Sequence, residues 1–208
     1  MRSISYKWIE FLILFIFIPI SYTFNYHIVI KMIIGILGFV YVIYILLEIE
    51  KKAFKMSRNI NWKLFLKETL LKFLIIAVLT TLFVYFNNKS LLFSVMLSKP
   101  LLWVFMLFVY SFLSVYPQEL IYRTLYFQRY KSLFKCQHVF ILINALVFAM
   151  AHMFFKNSLV LVITFLGGLL FAITYYKTKS TLLVSIEHAM YGCWLFTVGM
   201  GGMLGFPT

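Results

Sequence analysis

Three short strings in the second half of the chain place polar groups inside apolar runs, where each is costly unless paired or hydrated. In Pro117-Gln118-Glu119-Leu120-Ile121-Tyr122-Arg123, Glu119 and Arg123 are four residues apart and share one helical face, so they can pair. Asn144, Phe148 and His152 recur every fourth residue and form one helical stripe. Ser185-Ile186-Glu187-His188-Ala189-Met190-Tyr191-Gly192 sets two ionisable residues side by side, about 100° apart on a helix. Ser185 and Tyr191 flank the His188 face, and Gly192 leaves it open. Each string has a purely structural explanation. Glu119 and Arg123 could be a structural ion pair, His152 a boundary or core histidine, and Glu187 the partner of a Lys or Arg near the inner surface, with His188 packed against a helix.

Together the strings fit a reaction. A carboxylate, an arginine and two histidines from separate runs are what general-base activation of water requires. One group takes the proton, another holds the water, and a third stabilises the developing oxyanion. Peptide hydrolysis is the simplest chemistry that uses them all. No His-Glu-x-x-His pair is present, and Cys136 and Cys193 lack metal-ligand spacing, so a conventional zinc site is not indicated. No serine stands in a nucleophile elbow.

The elements that would position these groups follow from composition. The 208 residues are 63% apolar and only 12% charged, with a mean hydropathy of +0.96. Soluble domains are about half apolar and a quarter charged, so a soluble globular fold and disorder are both excluded. The reading is an all-α, polytopic helical membrane protein of about seven spans, within six to eight. The spans run roughly over 8–24, 28–47, 70–86, 101–125, 138–155, 159–176 and 181–198. Pro117 predicts a bend within the fourth. Residues 48–72 read either as a solvated loop or as an amphipathic surface helix with Trp62, Leu64, Phe65 and Leu66 on its apolar side. Residues 1–99 are expected to supply N-terminal transmembrane helices and a basic cytoplasmic loop. Residues 100–208 form the core carrying the three strings, in a single integral membrane domain. Gly167, Gly168 and Ala172 permit close helix approach, with internal packing favoured over a partner.

Lys and Arg number 19 against 6 acids, all of them Glu. Such an excess suits cytoplasmic loops and anionic lipid, with no nucleic-acid partner implied. Placing Lys51–Lys72, Arg129–Lys135, Lys177 and Lys179 inside leaves Lys31, Lys89, Lys99 and Lys156 outside, with the N-terminus cytoplasmic and the C-terminus outside. Glu10 falls near an interface, and Glu48, Glu50 and Glu68 flank the basic loop. That leaves Glu119 and Glu187 as candidate bases. In this topology His152 lies roughly 21 Å along its helix from Gln137, deeper than the other groups, so it meets them only if that helix projects or tilts.

The ordered strings resemble the CPBP family of CAAX prenyl endopeptidases and bacteriocin-processing and immunity proteins. The family pattern is Glu-Glu-x-x-x-Arg, then Phe-x-x-x-His, then His-x-x-x-Asn. Gln118-Glu119-x-x-x-Arg123, Phe148-x-x-x-His152 and His188-x-x-x-Gly192 correspond to it over roughly residues 100–200. The resemblance implies an intramembrane endopeptidase acting on a membrane-associated or lipid-anchored peptide or protein through Glu-activated water. Glu119, His152, His188 and Arg123 would be catalytic, and Gln118, Asn144, Phe148, Glu187 and Tyr191 supporting. No cofactor is expected, with zinc left open. Two departures stand out. Gln118 replaces the first Glu, which the family uses as base, and Gly192 removes a side-chain amide that could hold the oxyanion. Gln118 also admits a non-catalytic scaffold or immunity-type protein. A proton-coupled transporter is a third reading. The expected location is a prokaryotic plasma membrane.

Overall fold

The computed structural model describes residues 3–51 and 61–206. All regular structure among them is helical. Seven helices are long and apolar enough to cross a membrane: α1 (Ile4–Ser21), α2 (Ile28–Ile49), α3 (Trp62–Leu91), α4 (Pro100–Arg129), α5 (Gln137–Phe155), α6 (Ser158–Thr178) and α7 (Thr181–Val198). The protein is an integral membrane protein with seven candidate spans. Long rows of exposed Leu, Ile, Val and Phe on α2, α3 and α4 are surfaces that water would not tolerate and lipid would.

Helix ends are set locally. Asn61 caps α3 by accepting from the Leu64 amide at 3.0 Å. Asn157 caps α6 by accepting from the Leu159 and Val160 amides. Pro100 opens α4, where its missing N–H costs nothing. Residues 62–72, expected in a loop or a separate surface helix, are the first turns of α3. The rest of that basic stretch, residues 52–60, lies outside the described residues.

The prolines within spans do not break them. Each follows a widened π-helical turn, Ile13–Phe17 before Pro19 and Tyr110–Val115 before Pro117. A wider turn accommodates the pyrrolidine ring against the preceding carbonyls. The expected bend at Pro117 is therefore taken up by the widened turn, and α4 continues to Arg129. Another π-turn, Leu120–Leu125, has no proline to explain it.

The chain forms two compact units that interleave along the sequence. One comprises residues 1–56 and 117–181, the other residues 57–116 and 182–208. In the first, α1, α2, the second half of α4, α5 and α6 enclose an aromatic core. Phe15 meets Tyr122 and Tyr126 edge-on at 5.4 and 5.7 Å, and Tyr126 stacks on Phe140 at 4.6 Å. The Tyr126 hydroxyl donates to the Phe140 carbonyl. Gly168 lets α6 lie directly on α5, since a Cβ there would sit 3.1 Å from the Ala145 Cα. At this glycine the small-residue pattern serves internal packing.

Beneath the aromatic core lies a buried ionic cluster. Arg129 is buried and donates to Glu10 Oε2 at 2.5 Å and to Glu50 Oε1 at 2.8 Å. Tyr41 donates to the other Glu10 oxygen. Arg129, expected in a cytoplasmic loop, is instead the last residue of α4, and Glu10, expected near an interface, is buried beside it. In the second unit α3, the first half of α4 and α7 are tied by indole hydrogen bonds. Trp194 donates to Thr80 at 2.9 Å and Trp103 to Thr197 at 3.0 Å.

Candidate active site

Arg123 is the hub of the first unit's polar centre. It is fully buried, as is Glu119, and the guanidinium lies 3.3 Å from the Glu119 carboxylate. Its Nη1 donates to Asn144 Oδ1 at 2.8 Å, while the Asn144 amide nitrogen donates to the Tyr122 carbonyl at 2.6 Å. The guanidinium also lies over Phe148, 4.7 Å from the ring centroid, and 5.8 Å from that of Phe171. Each contact offsets the cost of burying a charge. Asn144, Phe148 and His152 therefore do more than share a face. The first two form the polar and aromatic walls around Arg123, and Phe148 passes the arrangement to His152.

That link is chemically specific. His152 Nδ1 lies 2.8 Å from the Phe148 carbonyl, which can only accept, so Nδ1 carries the proton. In the neutral ring Nε2 is then the basic nitrogen. The rings of Phe148 and His152 are 4.9 Å apart.

The register between α4 and α5 settles the depth question within this unit. Tyr126 bonds to Phe140 and Arg123 to Asn144, so the helices run antiparallel. Glu119 is then level with Phe148, and His152 stands about one turn beyond, roughly 6 Å along the axis. Neither a projecting nor a tilted α5 is needed to bring His152 near the level of Glu119.

The remaining predicted residues lie on α7 in the second unit. Glu187 is fully buried, and its Oε1 accepts from Lys72 at 2.6 Å and from the Tyr191 hydroxyl at 2.9 Å. Tyr191 also reaches the Thr69 carbonyl. Glu187 is thus clamped to α3 by a lysine. His188 is buried and meets the Tyr110 ring edge-on at 6.0 Å. Tyr110 also explains Gly192, because a Cβ at residue 192 would overlap the Tyr110 ring and hydroxyl. The glycine makes room for a tyrosine of α4.

Glu119, Arg123, Asn144, Phe148 and His152 are therefore assembled within one unit, with Gln118 half-buried beside them. Glu187, His188 and Tyr191 are assembled within the other. Among the described residues no three or more His, Cys, Asp or Glu side chains gather as a metal site would require.

The sequence match covers the same elements. Residues 100–194, from the first residue of α4 into α7, match the family Type II CAAX prenyl endopeptidase Rce1-like. This stretch is similar to that family. No curated protein and no solved structure matches the chain. The matched stretch contains all three strings. The family is one of intramembrane proteases, and peptides are its class of substrate.

Two contributors to the polar centres have little or no signature in the sequence. Tyr110 lies in a run of apolar and aromatic residues and carries no motif. Lys72 does carry a signal, though a faint one. It stands inside the apolar run that continues to residue 86, where a charge requires a partner.

Proposed function

We propose that the chain is an intramembrane endopeptidase that hydrolyses a peptide bond of a membrane-associated or lipid-anchored substrate. Glu119 is the general base that activates water. Arg123 pairs with the Glu119 carboxylate and fixes its position. His152 orients the water through Nε2 and relays its proton. The observation that carries this reading is the continuous chain from Glu119 through Arg123 and Phe148 to the oriented imidazole of His152. Glu187 is the weaker candidate base, because Lys72 and Tyr191 already occupy one of its oxygens.

The test is cleavage of a tagged candidate substrate in membranes. Glu119→Gln and His152→Ala should each lower the rate by about 10²- to 10⁴-fold at unchanged expression. Unchanged processing in both would sink the protease reading. Activity that survives a chelator supports the metal-free route, whereas loss restored by zinc overturns it. Gln118, in the position of the family's first Glu, favours a second reading as a scaffold that binds a partner. Partner-dependent protection that persists in Glu119→Gln would select it.

A further inference from the structure

We propose that the lysines around the α4–α5 and α6–α7 turns bind the phosphate headgroup of an anionic phospholipid, with Lys131 and Lys179 at the centre. The site lies in the first unit and does not depend on catalysis.

The Lys179 ammonium rests 3.9 Å above the Tyr176 ring centroid and 5.7 Å from that of Phe127. Its backbone is in the left-handed region, with φ of 53°, which a side-chain-bearing residue seldom adopts. Tyr176 is itself fixed by donating to Gln137 at 2.6 Å. Lys131 is close enough to act on Lys179 electrostatically. Exposed Lys135 and Lys177 flank them on the same two turns, and Lys7 reaches Ser132 at 3.5 Å.

Among the described residues Lys131, Lys135 and Lys179 have no ion pair. Of the acids at this end of the unit, Glu10 and Glu50 are turned onto Arg129, and Glu48 is exposed and forms no ion pair with these lysines among the described residues. The crowding has a measurable sign. Partial burial on the aromatic rings, and then the like charge of Lys131, push the Lys179 ammonium down from its ordinary pKa. A bound anion would oppose this shift by favouring the charged ammonium.

Depth selects the source of the anion. The patch stands where α4, α5 and α6 emerge from their apolar lengths. Exposed Val139, Leu142 and Leu146 on α5 and Ile173 on α6 lead away from it along the helices. A ligand with a phosphate at this level and acyl chains along those residues satisfies both surfaces. A free phosphate satisfies one.

The experiment compares phosphatidylcholine discs, the same discs doped with phosphatidylglycerol, and phosphatidylcholine discs with inorganic phosphate in the buffer. Lipid retained on release is read by native mass spectrometry. Wild type should retain phosphatidylglycerol selectively. Lys131→Gln/Lys179→Gln should bind it about 30-fold more weakly, at roughly one kcal/mol per lysine. Lys131→Arg/Lys179→Arg should retain it, and Lys89→Gln should bind as wild type. Retention by the double Gln variant equal to wild type, equal retention of phosphatidylcholine, or competition by inorganic phosphate would each overturn the proposal. Single Lys131→Gln, in an exposed turn, decides the matter if the double variant does not assemble.

Discussion

Arg123 shows how a buried charge is made tolerable one contact at a time. It has a carboxylate on its own helix, an amide on the next, and aromatic faces above. Breaking such a set from one side leaves an uncompensated charge. Arg123→Met should therefore destabilise the protein by about 3–5 kcal/mol, read as a lowered thermal midpoint in detergent. Adding Glu119→Gln should restore part of that loss, because the orphaned carboxylate is removed with its partner. Additive losses in the double variant would show that the two side chains do not interact. The i,i+4 spacing made this pair legible in the sequence, as it did the Asn144–Phe148–His152 stripe. The role of Phe148 was not legible. Its spacing marks a face, but only packing shows that the face receives a guanidinium.

At the scale of elements, pairs of residues fix how helices meet. Lys72 and Glu187 join α3 to α7 over 115 positions of sequence, and Gly192 joins α7 to α4 by omitting a side chain. Gly192→Ala should destabilise by about 1–3 kcal/mol through overpacking, with a much smaller further loss when Tyr110 is already Ala. An equal cost of Gly192→Ala in both backgrounds would remove Tyr110 from the account. Hydropathy located all seven helices, because each needs about twenty apolar residues whatever its neighbours. It did not locate the start of α3, since Lys63, Lys67 and Glu68 interrupt the apolar signal without interrupting the helix. Register was equally hidden. The one-turn offset between Glu119 and His152 is set by Tyr126 and Asn144 meeting α5 and α4, and neither contact has a sequence signature.

For the molecule as a whole, the charge pattern supports a cytoplasmic placement of the lysine-rich ends, and this too is our proposal. Cys136 is exposed in the α4–α5 turn, which makes it a native reporter. In a Cys193→Ser background an impermeant maleimide should label Cys136 in inverted vesicles and not in intact cells. Labelling of intact cells would reverse the orientation. Composition alone was sufficient to require a membrane, because 63% apolar residues cannot all be kept from water in a chain this size. It could not reveal that Arg129 belongs to a buried cluster, since its partners lie 119 and 79 residues away. Charge counted Arg129 as a loop residue, whereas three-dimensional contacts made it part of the core.

The π-turn at Leu120–Leu125 also makes chain length part of the fold. Such a turn is an α-helix holding one extra residue. Its extra residue is absorbed locally, whereas deleting one of residues 126–128, which wind as ordinary helix beyond it, would rotate Arg129 by about 100° relative to Arg123. Arg129 could then no longer meet Glu10 while Arg123 kept Asn144. Insertions and deletions, which the turns between helices absorb readily, are thus forbidden across these few positions. An alignment that opens a gap there has paired the wrong residues.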